Sequence, residues 1–310
     1  MSVHRLALLS ALLLASAARA EALRLRPDDP LRGLSGQLRA VLAAPGGSLR
    51  LPLALPAGGR YRWVSSAGVA TAPSPRPRQS AFTVPEKAGL WTLEALDGGR
   101  SPRRLEDFTV IVTVPASLKR NGWLNGYHIG TFPTEGQARS DAYAAPGAFI
   151  EVTAATQDFR ISEHFQLKSF LPHDQRDAWP KYLVLDLQLA DKLECLVKEL
   201  KVSGLHVMSG YRTPQYNGPG GDGRAKNSRH TYGDAADVWV DEDGDGQMDD
   251  LNRDGRVDTR DAEALARVVE RVERRYPALV GGAGIYRATS GHGPFVHVDA
   301  RGRPARWASR

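Results

Sequence analysis

Cysteine is almost absent from this chain. Cys195 is the only one in 310 residues. One thiol cannot close an internal disulfide, so any metal site must draw on histidine, aspartate or glutamate. Cys195 stands in Leu193-Glu194-Cys195-Leu196, inside a helical pattern, and reads as an inert core residue. Long apolar runs are also lacking. Beyond residue 20 no stretch is apolar enough to cross a bilayer. The one early run, 6–15, is too short to span; it follows the polar start His4-Arg5 and precedes Ala18-Arg19-Ala20. That order predicts a secretory signal over 1–20, cut after Ala20, and an exported protein, periplasmic or secreted. A short buried helix is the alternative for this run. Cys195 lies far from the cut, so a lipid-anchor thiol is excluded.

Charge of one sign is scarce only locally. The formal net charge is +6. Residues 241–261 carry nine carboxylates against three arginines, a local −6. Setting aside Arg5 and Arg19, the remainder of the chain holds +10. An exported basic body suits an anionic partner such as the bacterial envelope. Nucleic acid is the other usual partner of basic proteins, but no nucleic-acid-binding motif is present and export argues against it.

Two textures divide the chain. Over 48–55, 60–65, 79–84, 90–96 and 108–114, short runs rich in β-branched and aromatic residues alternate with Gly/Pro/Ser turns. This spacing predicts a small all-β, immunoglobulin-like sandwich over 21–115, with Trp63 and Trp91 in its core. Residues 116–158 read as a connector with one short strand at 148–153. From 159 to 310 helices mix with short strands, the mark of an α+β domain. A helix is predicted over 186–201, where Leu187, Leu189, Leu193, Leu196, Val197 and Leu200 form a stripe, and another over 262–275. Strands are expected at 205–208, 236–240 and 295–298.

Three short motifs in this second half carry the chemistry. They are Ser209-Gly210-Tyr211-Arg212-Thr213-Pro214, then Ser228 to Asp237 with His230 and Gly233 between, then Phe295-Val296-His297-Val298-Asp299. Together they offer two imidazoles and a carboxylate, a catalytic zinc set that leaves one position open. His230 and Asp237 are seven apart. On a helix that is roughly 10 Å along the axis, too far for one ion, so the chain must bend between them, and Gly233 allows it. His297 and Asp299, two apart on a strand, face the same side, so Asp299 can orient a ligand from behind.

The pattern Ser-x-His-x-x-Gly-x-Ala-x-Asp, followed by a distant His-x-Asp, resembles the zinc D-Ala-D-Ala carboxypeptidase family. That family also includes D-Ala-D-Ala dipeptidases and peptidoglycan endopeptidases, and it shares its fold with the hedgehog signalling domain. Ser228, His230, Gly233, Ala235 and Asp237 fill the fixed places of the central motif, and residues 209–217 look like the upstream signature. The resemblance covers about 160–310. It implies that His230, Asp237 and His297 hold zinc, with Ser228 and Asp299 supporting them. It implies that Arg212 polarises the scissile carbonyl or holds the oxyanion, and that His292 is the general acid or base. One departure is clear. Some branches of the family place a glutamate three residues before the last zinc histidine; Pro294 stands there instead.

The acidic segment has its own pattern. Asp250, Asn252, Asp254, Asp258 and Asp261 fall at positions 1, 3, 5, 9 and 12 of a calcium-loop spacing. Gly255 takes position 6, and Arg256 offers its carbonyl at position 7. Upstream, Asp241, Asp243, Asp245, Gly246 and Asp249 repeat the start of the pattern. At least one calcium is expected here, in an insertion over 241–261 that stiffens the zinc site. The expected protein is an exported zinc peptidase of peptidoglycan stem peptides, in the first instance a D-Ala-D-Ala carboxypeptidase. The rivals are an endopeptidase cutting cross-links or stems and a non-catalytic zinc-bearing binding module.

Overall fold

The computed structural model describes residues 22–308 except 56, 97–100, 134, 136–142 and 219–224. The expected signal over 1–20 lies outside them. No described helix is long and apolar enough to cross a membrane.

The N-terminal half is built of β-strands, as its alternating pattern predicts. One sheet runs in the order Ala40–Ala43, Thr109–Val112, Gly89–Leu96, Arg60–Ser65, Ser74–Pro75, with Arg103–Arg104 also paired to Gly89–Leu96. The first pair is parallel. A two-stranded ribbon, Ser48–Arg50 with Ala81–Thr83, makes a second sheet. Trp63 ties the two together. Its indole Nε1 donates to the Thr83 carbonyl at 2.7 Å, and the Thr83 N–H donates to the Tyr61 hydroxyl at 3.0 Å. Trp63 and Trp91 are both buried, in one cluster with Leu51, Phe82, Leu93 and Val110.

Residues 116–158 do more than connect. Strand Ala148–Val152 pairs with Val114–Pro115 on one side and Lys181–Leu183 on the other. Leu38, Ala40, Leu90 and Ile111 of the N-terminal half share a core with Ile150, Phe165 and Leu189.

The C-terminal half is a five-stranded sheet in the order His206–Ser209, Ala235–Trp239, Phe295–Asp299, Gly282–Tyr286, Ala305–Ala308, with only the last pair parallel. Helix α1 (Leu187–Leu200) begins at Asp186, whose carboxylate accepts the Gln188 N–H at 2.8 Å, and ends at Lys201 in the left-handed region. A one-turn helix, α2, spans Pro214–Asn217. Helix α3 (Thr259–Arg275) opens with a capping box between Asp258 and Asp261. Leu189, Leu193 and Leu196 of α1 meet Leu265, Val269 and Val272 of α3 in the same core as Ala236, Val238, Val296 and Val298 of the sheet. Strand residues alternate between faces. The intervening residues, Asp237, His297 and Asp299, therefore point away from the helices.

A buried ion pair locks this arrangement. Lys192 of α1 is fully buried and donates to Glu273 of α3 at 2.6 Å and to the Asp299 carbonyl at 2.7 Å. Glu273 also accepts the Gly281 N–H at 3.0 Å and pairs with Arg306. Glu273→Ala would strand a buried ammonium, a loss of about 3–5 kcal/mol. Lys192→Met should cost less, because Glu273 keeps Arg306 and the Gly281 N–H. Urea unfolding midpoints at constant slope measure both. Equal losses, or no loss at Glu273, would contradict this ordering.

Candidate metal centre and active site

His230 lies on a single 3-10 turn, Arg229–Tyr232. The turn ends at Gly233, whose φ of 74° lies in the left-handed region. A Cβ there would also collide with the Val184 backbone. The chain then reverses into strand Ala235–Trp239, and this is the bend that lets residues seven apart share one site. Asp237 sits directly across from His297 in the antiparallel register.

Three donor atoms converge. His230 Nε2 lies 3.2 Å from Asp237 Oδ1 and 3.1 Å from His297 Nδ1, and His297 Nδ1 lies 3.0 Å from Asp237 Oδ1. Ligands about 2.0–2.1 Å from a tetrahedral zinc are about 3.3 Å apart, so this triangle has the right size. His230, Asp237 and His297 are all buried and form a group that can hold a metal ion. Three protein donors leave a fourth position open.

The second nitrogen of each histidine is committed elsewhere. His230 Nδ1 donates to the Gly210 carbonyl at 2.7 Å. A carbonyl only accepts, so this bond fixes the tautomer with Nε2 turned to the site. His297 Nε2 faces Asp299 Oδ2 at 3.3 Å. Asp299 is fully buried and is held in turn by the Gly282 N–H at 2.7 Å and by Arg301. It stands behind His297, on the face that the two-residue spacing predicts.

The electrostatics suit a cation. Burial would raise the Asp237 carboxyl, but His230 and His297 outweigh it and hold it well below the usual carboxylate range. Burial lowers His230 against the pull of Asp237. Burial also opposes protonation of His297, yet its bonds to Asp237 and Asp299 carry it above its ordinary value. An anionic Asp237 beside neutral His230 suits ligation, and a metal binding here would displace the proton that His297 favours.

Arg212 reaches the same carboxylate from the other side. Its Nη2 donates to Asp237 Oδ2 at 2.6 Å and its Nε to Ser209 Oγ at 2.9 Å. His292 stands across a cleft of about 790 Å³ that the three donors and Arg212 also line. The imidazole meets the Phe295 ring edge-on at 5.0 Å, and its Nδ1 donates to the Gly293 carbonyl at 2.7 Å. Ser228 lines the cleft too. Its backbone carbonyl accepts the Thr231 hydroxyl at 2.7 Å and holds the turn under His230. Sequence reasoning missed Arg301, Arg229 and the Arg229 partner Asp234. Arg301 repeats the two-residue step from Asp299, and that spacing could have marked it.

The loop expected to bind calcium closes on itself, with the N–H groups of Asn252 and Asp258 donating to Asp261 at 3.1 and 2.8 Å. Among the described residues of the acidic segment, the carboxylates that converge are Asp241, Asp243 and Asp249, within 4.8 Å of one another. No three carboxylates of Asp250, Asp254, Asp258 and Asp261 do so. Arg260 pairs with both Asp254 and Asp258, each at 3.0 Å, and Asp258 and Asp261 cap α3. Asp250 and Asn252 accept the N–H groups of their own loop, with Asp254 donating to Asn252 Oδ1 at 2.9 Å and Gly255 to Asp250 at 2.7 Å. The Arg256 N–H likewise donates to Asp254, at 3.1 Å.

Compared with known proteins, residues 173–260 match the family model Peptidase M15. The match supports the zinc D-Ala-D-Ala carboxypeptidase-like peptidase family for this segment of the chain. The matched span holds Arg212, His230 and Asp237; His292 and His297 follow it. No curated protein and no solved structure matches the chain significantly. M15 peptidases are zinc-dependent, and the match supports a zinc peptidase acting on peptidoglycan-type substrates.

Proposed function

We propose that the chain is an exported D-Ala-D-Ala carboxypeptidase of cell-wall stem peptides, with zinc held by His230, Asp237 and His297. The observation that carries this reading is the donor triangle with Arg212 and His292 facing the same cleft. When bound, zinc supplies the Lewis acid that polarises a scissile carbonyl and makes water a nucleophile near neutral pH.

The residues of the chain supply the rest. The Gly210 carbonyl and Asp299 fix the two imidazoles, so the donors are organised before substrate arrives. Arg212, clamped by Ser209 and Asp237, is a fixed cation beside the place where carbonyl oxygen gains charge. His292 donates through Nδ1 to Gly293, which leaves Nε2 to take a proton and return it to the departing amine. This role falls to His292 because Pro294 stands where some relatives place a glutamate. The N-terminal β domain is proposed to place the enzyme on the wall. Its immunoglobulin-like outline belongs to the same proposal, since among the described residues its second sheet has two strands.

The test is to incubate the purified mature protein with defined muropeptides and weigh the products. Free D-Ala is the expected product. Internal cuts would keep the peptidase and make it an endopeptidase, while intact peptides from zinc-loaded protein would favour the binding module. His292→Ala should keep its zinc and lose roughly 10²–10⁴-fold in turnover. An unchanged rate would remove His292 from the chemistry.

A further inference from the structure

The guanidinium groups of the cleft are unevenly matched with carboxylates. Among the described residues Arg212, Arg229, Arg287 and Arg301 all line it, and Asp237 is the one carboxylate that does. Arg212 is bound to Asp237, Arg229 to Asp234 and Arg301 to Asp299. Arg287 makes no ion pair with a described carboxylate.

Its base is nonetheless well fixed. Arg287 directly follows strand Gly282–Tyr286. The preceding Tyr286 ring stacks on Phe295 at 4.6 Å, nearly parallel, and its hydroxyl accepts Trp307 Nε1 at 3.0 Å. The loop beyond it leads to His292, whose carbonyl accepts the Thr289 N–H at 2.8 Å. An exposed guanidinium on a fixed stem, facing the same cleft as the metal donors, is suited to bind a carboxylate through two parallel hydrogen bonds.

We propose that Arg287 anchors a carboxylate of the peptide substrate and so sets the preference of the cleft for acidic peptides. The inference rests on the peptidase reading above. The carboxylate comes either from the free C-terminus of the peptide or from an acidic side chain along it.

Steady-state kinetics of the zinc-loaded full chain tests this with three stem-type peptides: unmodified, amidated at the C-terminus, and amidated at the acidic side chain. Arg287→Ala should raise KM for the unmodified peptide by roughly 10–100-fold with kcat little changed. The effect should vanish on whichever amidated peptide has lost the anchored carboxylate, which names the source. Arg287→Lys should recover part of the loss. An unchanged KM, or an equal rise on all three peptides, would overturn the anchor. Calorimetric titration of the same peptides separates this inference from the parent reading. If the wild type binds but cuts nothing, and Arg287→Ala no longer binds, the peptidase reading fails and the anchor stands. Equal binding by both proteins, or none by either, would overturn the anchor itself.

Discussion

Protein with alanine at His230 or His297 is expected to emerge from purification folded and without its zinc. The wild type should carry about one zinc per chain, since the three donors make one tetrahedral face. Removing one imidazole leaves two donors and a gap in a buried wall. Turnover should fall to background, because the Lewis acid is lost together with its ligand. Asp299→Asn is the graded counterpart. It leaves His297 in place and weakens the support of its Nε2, for which roughly 10–100-fold in metal affinity is the expected cost. Elemental analysis after dialysis against a weak chelator reads both effects. Full zinc in the two alanine variants would rule out His230 and His297 as ligands.

Arg212→Ala should keep the metal, measured at saturating zinc, and lose roughly 10²–10³-fold in kcat, as when one fixed oxyanion partner is removed. Arg212→Lys should not restore the rate. A lysine reaches one partner with a point charge, whereas Arg212 holds Ser209 through Nε and Asp237 through Nη2 at once. A fall in zinc content matching the fall in rate would show Arg212 acting only through Asp237. A KM effect with kcat unchanged would place it in substrate binding instead.

Much of this was legible in the residues, and the misses have physical reasons. The strand Arg60–Ser65 could be read to both ends, and α1 to its two capping residues, because the apolar period and the polar boundaries agree there. Strand Gly282–Tyr286 escaped notice because its pattern is broken by glycines. The structure explains Gly284, where a Cβ would meet the ring of Trp307. Ala40–Ala43 and Ala305–Ala308 are too short and too alanine-rich to signal a strand. The residues able to hold a metal stood out because Gly233 marked the bend and the His-x-Asp spacing marked the strand. The partners Arg229–Asp234 and Asp299–Arg301 look like surface charges in sequence, and only the fold buries them. Calcium-loop spacing was read over 250–261, but spacing cannot reveal that Arg260 takes two of its carboxylates.

The shared core has a consequence for modularity. Leu38, Ala40, Leu90 and Ile111 belong to the β half by sequence, yet they pack with Ile150, Phe165 and Leu189 of the peptidase half. Asp191 of α1 accepts the N–H groups of Leu34 and Ser35 at 2.7 and 2.8 Å, a second stitch across the same boundary. A unit joined in this way is not a detachable cassette. Exchanging the β half for an unrelated domain would leave an apolar surface on the peptidase half with nothing to cover it, so neither half can be replaced without rebuilding the face of the other.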